Sequence, residues 1–301
     1  MKKKILASVL AIAMVATLGA CGNDKGNDKS GSDSGSAGQA PAEAKEIHVI
    51  SREEGSGTRG AFIEITKIKD GDNDNTRPDA VVQNSTDAAK TTVSGDPAAI
   101  GYISMGSMDS TVKAIKVNGV EATEENVLND KYAVKRPFNI VYKEDKLTDA
   151  TKDFINFIMS KEGQALAQAS HVLAADGQAA PYAKSGDLSG KIRIQGSTSV
   201  TPFMEKLMEE YKKVQPKVTF DFTSNGSGAG ITAAIEDQAD LGMASREVKD
   251  EEKAKGLTDK KIAIDGICVI VNKDNACEDL TMDQIKGIFT GEIKDWSEVS
   301  K

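Results

Sequence analysis

Three short segments combine glycines with hydroxyl-bearing residues at positions where a helix is expected to begin. They span residues 51–58 (SREEGSGT), 196–202 (GSTSVTP) and 224–230 (SNGSGAG). Glycine lets the backbone approach a ligand closely, a helix N-terminus offers unpaired N–H groups, and serine or threonine adds directed donors. Together these features are the local chemistry of a tetrahedral oxyanion site, while each segment taken alone is also typical of an ordinary turn.

Two arginines accompany these segments. Arg52 lies inside the first segment, and Arg246 follows Ser245 in a fourth segment, residues 241–247 (LGMASRE), which ends a predicted strand. A guanidinium can form a forked contact to an oxyanion, but arginine is equally common in surface ion pairs. Glu54 is close enough in the chain to form such a pair with Arg52 and to hold it in place.

The elements that must position these residues alternate along the chain. Strands are predicted over residues 47–50, 98–104, 112–117, 137–141, 191–195, 218–222, 240–243 and 262–271. Helices are predicted from about residue 58 and over 148–160, 161–169, 200–214, 228–236 and 281–289, the last with Thr281 and Gln284 at capping-box spacing. This alternation predicts an α/β fold with largely parallel sheets and ligand sites at the carboxyl ends of the strands.

The N-terminus has the features of an export signal. Residues 1–20 contain three early lysines and an apolar run from Ile5 to Leu18, which is shorter than the roughly 20 residues that a membrane span needs. The run ends in LGAC, which resembles the bacterial lipobox and predicts a lipidated Cys21. Residues 21–44 are rich in Gly, Ser, Asp and Lys and predict a disordered tether. We therefore expect an extracytoplasmic protein that is lipid-anchored to the outer face of the cell membrane.

Composition excludes several classes of function. The formal charge of −8 and the absence of a basic stripe argue against nucleic-acid binding. Cys268 and Cys277 have no CxxC partner and no nearby histidine, so no metal or cofactor is expected, and Cys268 lies in an apolar run typical of a core. The sequence shows no nucleophile–base pair and no Walker motif, so we do not expect an enzyme.

Seven segments together resemble a known family, the phosphate-binding lipoproteins of bacterial ABC phosphate importers. They are Val49–Arg59, Ala98–Ile103, Phe154–Ile158, Gly196–Pro202, Ser224–Gly230, Ala239–Arg246 and Phe289–Trp296. The resemblance implies a two-lobed periplasmic-binding-protein fold of type II. It also implies a monomeric receptor that captures inorganic phosphate between its lobes and delivers it to the membrane subunits of an ABC permease.

By motif position, the resemblance also implies the ligand contacts. They are Arg52, Ser56, Gly57 and Thr58 on one lobe and Thr198, Ser199, Ser227, Ser245 and Arg246 on the other. Many family members have an aspartate at the position of Arg246, where it accepts a hydrogen bond from protonated phosphate and rejects sulfate. Glu54, Glu247 and Asp265 are the candidates for that acceptor here. The departure leaves sulfate or molybdate open as ligands, and a signalling or adhesion lipoprotein with this fold is a further alternative.

The order of the segments differs from the usual family order, in which the Gly-Ser-Thr segment comes first. The chain therefore resembles a circularly permuted member, and we expect residue 301 to end close to residue 45. The permutation predicts one lobe from residues 45–136 plus 265–301 and a contiguous second lobe from residues 137–264.

Overall fold

A computed structural model describes residues 46–299, in which strands and helices alternate as the sequence predicts. The predicted signal peptide, the lipidated Cys21 and the tether lie outside the described residues, and so does the predicted approach of residues 45 and 301. Among the described residues, no helix is long and apolar enough to cross a membrane.

The strands and helices are as follows. The strands are β1 (His48–Arg52), β2 (Lys69–Asp70), β3 (Asn73–Asp74), β4 (Val81–Gln83), β5 (Ala99–Ser104), β6 (Val112–Ala114), β7 (Lys116–Val117), β8 (Lys135–Tyr142), β9 (Leu173–Ala174), β10 (Ser189–Gly196), β11 (Lys217–Ser224), β12 (Leu241–Ala244), β13 (Thr258–Asn272) and β14 (Asp279–Leu280). The helices are α1 (Gly57–Ile65), α2 (Thr86–Ser94), α3 (Glu124–Leu128), α4 (Asp149–Ile158), α5 (Lys161–Gln168), α6 (Thr201–Val214), α7 (Ser227–Ile235), α8 (Asp250–Lys253) and α9 (Met282–Thr290). The strand predicted over 112–117 is divided into β6 and β7, and the capping box at Thr281 is confirmed.

The main sheet has the order β11-β10-β12-β8-β13-β5-β1-β4, with β6 and β9 pairing to β13. Its two ends are parallel, because β10 pairs with β11 and β12, and β1 pairs with β4 and β5. The centre is antiparallel at every pairing of β8 and β13. The expectation of largely parallel sheets was therefore wrong for the centre, where these two strands run against their neighbours.

Strand β13 joins the two halves of the sheet. Its 15 residues span about 50 Å at the usual rise per residue. The first part pairs with β8 over residues 258–266, and the second part pairs with β5 over residues 267–271. One continuous strand therefore contributes to both halves, and in its register Asp265 lies opposite Arg136 on β8.

Buried apolar side chains form two large clusters that divide at the same strands. One cluster draws on residues 47–134 and 267–289, and the other draws on residues 138–263. This division agrees with the lobe boundaries expected near residues 136 and 265, which remain the boundaries that we propose. Cys268 is buried in the first cluster, as predicted, and it forms no disulfide with Cys277.

The first and last described segments lie side by side. The backbone N–H of Ile47 donates to the carbonyl of Lys294 at 2.8 Å, and Glu46 pairs with Asp295 in an isolated antiparallel bridge. This pairing fixes the start of β1, the strand that leads into the first glycine–serine segment.

Asp153 on α4 ties helix α6 to its surroundings. This buried carboxylate accepts hydrogen bonds from Tyr211 of α6 at 2.8 Å, from Tyr182 at 2.6 Å and from Gln215 at 3.2 Å. Burial raises the pKa of Asp153, but the hydrogen bonds outweigh that effect and hold it below its ordinary value. The ionised carboxylate therefore stabilises the fold that positions α6.

Replacing Asp153 by Ala is expected to lower the free energy of unfolding by about 1–3 kcal/mol, because buried donors lose their shared acceptor. The contribution of Asp153 is present above the ordinary pKa of an aspartate, about 3.9, and is lost as the pH falls through its lower folded-state value. Urea unfolding at neutral pH and at about pH 3 measures both effects. The exposed Asp187 provides the control, since Asp187→Ala should leave stability unchanged. Equal unfolding curves for the two variants would contradict this account.

Candidate functional site

The three glycine–serine segments form the three strand-to-helix junctions that the sequence predicts. They connect β1 to α1, β10 to α6 and β11 to α7. Each helix begins within its segment, so its first backbone N–H groups have no partner inside the helix. Ser56 caps α1, where its hydroxyl accepts from the N–H of Arg59, and Gly226 precedes α7 with a positive φ of 103°. Three helix N-termini are therefore available to an anion.

The junctions contact one another directly. The hydroxyls of Thr58 on α1 and Ser199 before α6 are 2.8 Å apart, and the N–H of Gly228 on α7 donates to the carbonyl of Gly55 at 2.9 Å. The first segment thus touches both of the others, and the predicted convergence is observed. The connected cluster contains Arg52, Gly57, Thr58, Thr198, Ser199, Ser227 and Ser245, with Ser56 at its edge.

Gly57 allows the closest approach in this cluster. A Cβ at this position would lie 2.7 Å from the hydroxyl of Ser245 and nearer still to that of Ser227. These two hydroxyls are 3.3 Å apart, and the backbone N–H of Ser245 donates to the Ser227 hydroxyl at 3.0 Å. Only glycine fits between the two sides without displacing them.

Arg52 is the cation of the first segment and is buried, with 1% of its surface exposed. Its Nε and Nη2 donate to the two carboxylate oxygens of Glu53 at 2.8 and 2.9 Å. Its Nη1 donates to Thr86 at 3.2 Å, and Nη2 also donates to Thr198 at 3.1 Å. The guanidinium is therefore fixed by a carboxylate and points its remaining N–H groups at hydroxyls from two other elements.

The expectation that Glu54 holds Arg52 was wrong, since Glu53 does so. Residues two apart share a face only while a strand continues, and β1 ends at Arg52. The chain turns over residues 53–56, with a positive φ of 82° at Gly55. In this turn Glu53 contacts the guanidinium, while Glu54 is exposed. Glu247, another candidate proton acceptor, is also exposed.

Arg246 does not join the cluster through its guanidinium. That group donates to both carboxylate oxygens of Glu252 on α8, at 2.7 and 2.8 Å, and to the carbonyl of Glu247 at 2.8 Å. A forked carboxylate contact of this kind holds the side chain firmly. The prediction of Arg246 as a ligand contact is therefore not supported by its position.

Arg136 on β8 provides the second buried cation. Its Nη1 donates to the carbonyl and the hydroxyl of Ser245 at 3.1 and 3.3 Å. Its Nε and Nη2 donate to one oxygen of Asp265 at 3.0 and 2.9 Å, and the other oxygen accepts from Ser104 at 2.7 Å. Asp265, a candidate acceptor of the phosphate proton in the sequence analysis, therefore binds Arg136 and Ser104 here.

The site matches its buried positive charges with buried or half-buried carboxylates. Burial raises the pKa of Asp265 above its ordinary value, and the Arg136 guanidinium and the Ser104 hydroxyl limit that rise. Two arginines are therefore balanced by Asp265 and Glu53. An anion at this site would be held by helix termini, hydroxyls and the outward N–H groups of the arginines more than by net charge.

Sequence reasoning missed Thr86, Glu53 and Arg136. Thr86 begins α2, and its hydroxyl lies 3.1 Å from that of Thr198 and 3.2 Å from that of Ser199. The signal for Thr86 was the run VVQNST, in which a serine cap follows a strand. This run lacks a glycine, unlike the three segments that the sequence analysis selected. Arg136 gave no comparable signal, because it follows Lys135 at the start of β8 and is one of two adjacent charges before a buried strand.

No group of three or more His, Cys, Asp or Glu side chains in residues 46–299 is arranged to hold a metal ion. The cluster is rich in N–H and O–H donors, from hydroxyls, guanidinium groups and the backbone, and such donors suit an anion.

The chain is similar to several known proteins. A family model described as the PBP superfamily domain matches residues 27–162 and 180–301. The protein called phosphate-binding protein PstS 2 in Streptococcus agalactiae serotype V is 45% identical over 309 residues, which cover 100% of both chains. PstS 2 of Streptococcus pneumoniae serotype 4 is 46% identical over 304 residues, 99% of this chain and 100% of its own length.

A solved structure supports the same relationship. The crystal structure of a phosphate-binding protein of a phosphate ABC transporter from Streptococcus pneumoniae TIGR4 is 49% identical to this chain. It aligns with a TM-score of 0.68 over 85% of this chain and 100% of its own.

Replacing Gly57 by Ala is expected to push the first segment away from Ser227 and Ser245, because the new methyl group would overlap their hydroxyls. A crystal structure of the variant should show that the hydroxyls of Thr58 and Ser199, 2.8 Å apart here, no longer bond. Gly60→Ala, in the same helix, is the control, since its Cβ would meet only the Arg246 Cδ at an ordinary 3.5 Å. An unchanged hydrogen bond in Gly57→Ala would contradict the packing argument.

Proposed function

This chain belongs to the PBP superfamily, and on that premise we propose that it is an extracytoplasmic receptor for inorganic phosphate. Both streptococcal relatives that align over essentially the whole chain are named as phosphate-binding proteins. In this proposal the protein captures phosphate in the cluster of residues described above and delivers it to the membrane subunits of an ABC permease.

The observation that carries the proposal is the convergence of donors in one buried cluster. Hydroxyls from the starts of α1 and α2 and from the loop before α6 lie within hydrogen-bond reach of one another or of Arg52. The hydroxyls of Ser227 on α7 and of Ser245 contact each other and pack against Gly57 of the first segment. A tetrahedral oxyanion presents four oxygens that accept hydrogen bonds in four directions. Donors that arrive from separate elements suit such a ligand better than a planar or linear one.

We propose that the protein binds phosphate without transforming it. The named relatives are binding proteins of a transporter, and the cluster contains no histidine or cysteine that could activate a hydroxyl as a nucleophile. The work of the site would be to replace the water around the anion by fixed donors. Closure of two lobes about the crossover strands β8 and β13 would achieve this by a hinge motion.

The predicted N-terminal features extend this proposal to the membrane. We propose that Cys21 carries a lipid anchor and that residues 21–44 tether a monomeric receptor close to its permease. We also propose that the order of segments is circularly permuted relative to the usual family order. The two streptococcal relatives align with this chain end to end, so they have the same order.

Calorimetry on the protein is expected to show phosphate binding with a Kd of about one micromolar or tighter, and sulfate binding at least about a hundredfold weaker. Phosphate at about 100 times its Kd should stabilise the folded state by about 2.7 kcal/mol and raise the melting temperature. A generic phosphate ester, used as a control for catalysis, should remain intact. Equal binding of sulfate would remove the specificity for phosphate, and no response to either anion would remove the receptor function.

Replacing Arg52 by Ala is expected to weaken phosphate binding by about 2–5 kcal/mol, as the loss of a buried charged donor does. Arg246→Ala is the matched comparison, because the Arg246 guanidinium is bound to Glu252 instead of the cluster. Its effect on affinity should stay below about tenfold. If Arg246→Ala weakens binding as much as Arg52→Ala, the sequence-based assignment of Arg246 is right and the assignment from its contacts is wrong.

A further inference from the structure

The pair formed by Arg136 and Asp265 lies where the two crossover strands meet. These residues are register partners on β8 and β13, and their exposed fractions are 3% and 0%. Asp265 takes two N–H groups of the guanidinium on one oxygen, and its other oxygen accepts from Ser104 at the end of β5. Asp265 therefore binds the Nε and Nη2 groups of the guanidinium, and Nη1 is the group that contacts the hydroxyl cluster.

The Nη1 group of Arg136 restricts which hydrogen bonds the Ser245 hydroxyl can form. Nη1 donates to both the carbonyl and the hydroxyl of Ser245, at 3.1 and 3.3 Å. The backbone N–H of Ser245 in turn donates to the Ser227 hydroxyl at 3.0 Å. Each of these hydroxyl oxygens therefore already accepts an N–H donor. A hydroxyl whose oxygen accepts one bond directs its own hydrogen elsewhere, so at least one of the two O–H groups is left to donate to an anion.

The first segment contains the same arrangement on the other side of the cluster. There Glu53 holds the guanidinium of Arg52, and Arg52 donates to the hydroxyls of Thr86 and Thr198. In both cases a carboxylate fixes an arginine, and the arginine donates N–H groups to the hydroxyl oxygens. Two chains of the type carboxylate–guanidinium–hydroxyl thus approach the cluster from different strands, and both leave hydroxyl hydrogens for the ligand.

We propose that Arg136 is a positioning residue of the phosphate site. Held by Asp265, it orients the hydroxyl of Ser245, and through it that of Ser227, as donors to the anion. This inference rests on the proposed function and assigns a role to a residue that lies outside the glycine–serine motifs. Arg136 acts through Ser245, so its effect on binding depends on the presence of that hydroxyl.

A double-mutant cycle tests this dependence. The variant R136Q/D265N removes both charges together, which avoids leaving one buried charge unpaired. Calorimetry with inorganic phosphate is expected to show a loss of affinity of about tenfold to about a hundredfold, the range for one hydrogen bond to a charged group. S245A should lose a similar amount. The variant that combines all three changes should have a Kd for phosphate no more than about threefold above the higher Kd of its two parent variants.

R193Q/D240N is the matched control, because Arg193 and Asp240 also form an arginine–carboxylate pair at a strand, with no contact to the hydroxyl cluster. Its phosphate affinity should equal that of the unaltered protein. An affinity of R136Q/D265N within about twofold of the unaltered protein would overturn the proposal. So would losses that multiply in full when S245A is added, because Arg136 would then act independently of Ser245.

The outcome stays decisive if R136Q/D265N does not fold. R136K keeps the charge, but a single ammonium cannot bond Asp265 twice and also reach Ser245. It is expected to stay folded, as a cooperative melting transition would show, and to weaken phosphate binding about tenfold. Unchanged affinity would overturn the proposal. Failure of the receptor function itself is distinguishable, since the unaltered protein and the R193Q/D240N control would then bind no phosphate.

Discussion

The antiparallel pairing of β8 with β13 connects the organisation of the sheet to the buried charges of the site. β13 continues past this pairing into the other half of the sheet, where it pairs with β5. The two apolar clusters divide at these strands, so the continuous backbone of β13 runs from one half of the sheet into the other. The same register sets Arg136 opposite Asp265. The support of the site and the connection between the halves are therefore one structural feature.

Other protein side chains balance the buried positive charges in the site. Burying an unpaired guanidinium costs several kcal/mol, and pairing it with a carboxylate offsets most of that cost. Arg52 and Arg136 are each paired in this way, yet each keeps N–H groups directed at hydroxyls. In the proposed site, the remaining attraction for an anion would come from fixed dipoles, which act at short range and in defined directions. Such a site favours shape and hydrogen-bond geometry over charge alone.

Much of the fold could be predicted from the sequence, because periodic patterns are local. The apolar seam of α6, the capping box of α9 and the strand–glycine–helix junctions follow from residues a few positions apart. The direction of the central strands could not be predicted, because strand pairing depends on residues more than a hundred positions apart. β8 resembles any short buried strand in sequence, and only its pairing with β12 and β13 makes it antiparallel.

For the site, the local sequence indicated which segments could supply donors, because glycine, serine and threonine before a helix leave N–H and O–H groups that can donate to an anion. The sequence also pointed to Arg52 as a candidate ligand contact and showed the resemblance to the phosphate-binding family. Only the tertiary structure decided which charged side chains reach the cluster. It placed Glu53 instead of Glu54 on Arg52, and Arg136 instead of Arg246 beside Ser245. A long charged side chain goes to the partner that packing places within reach, whether that partner is adjacent in the chain, as Glu53 is to Arg52, or far away, as Asp265 is from Arg136.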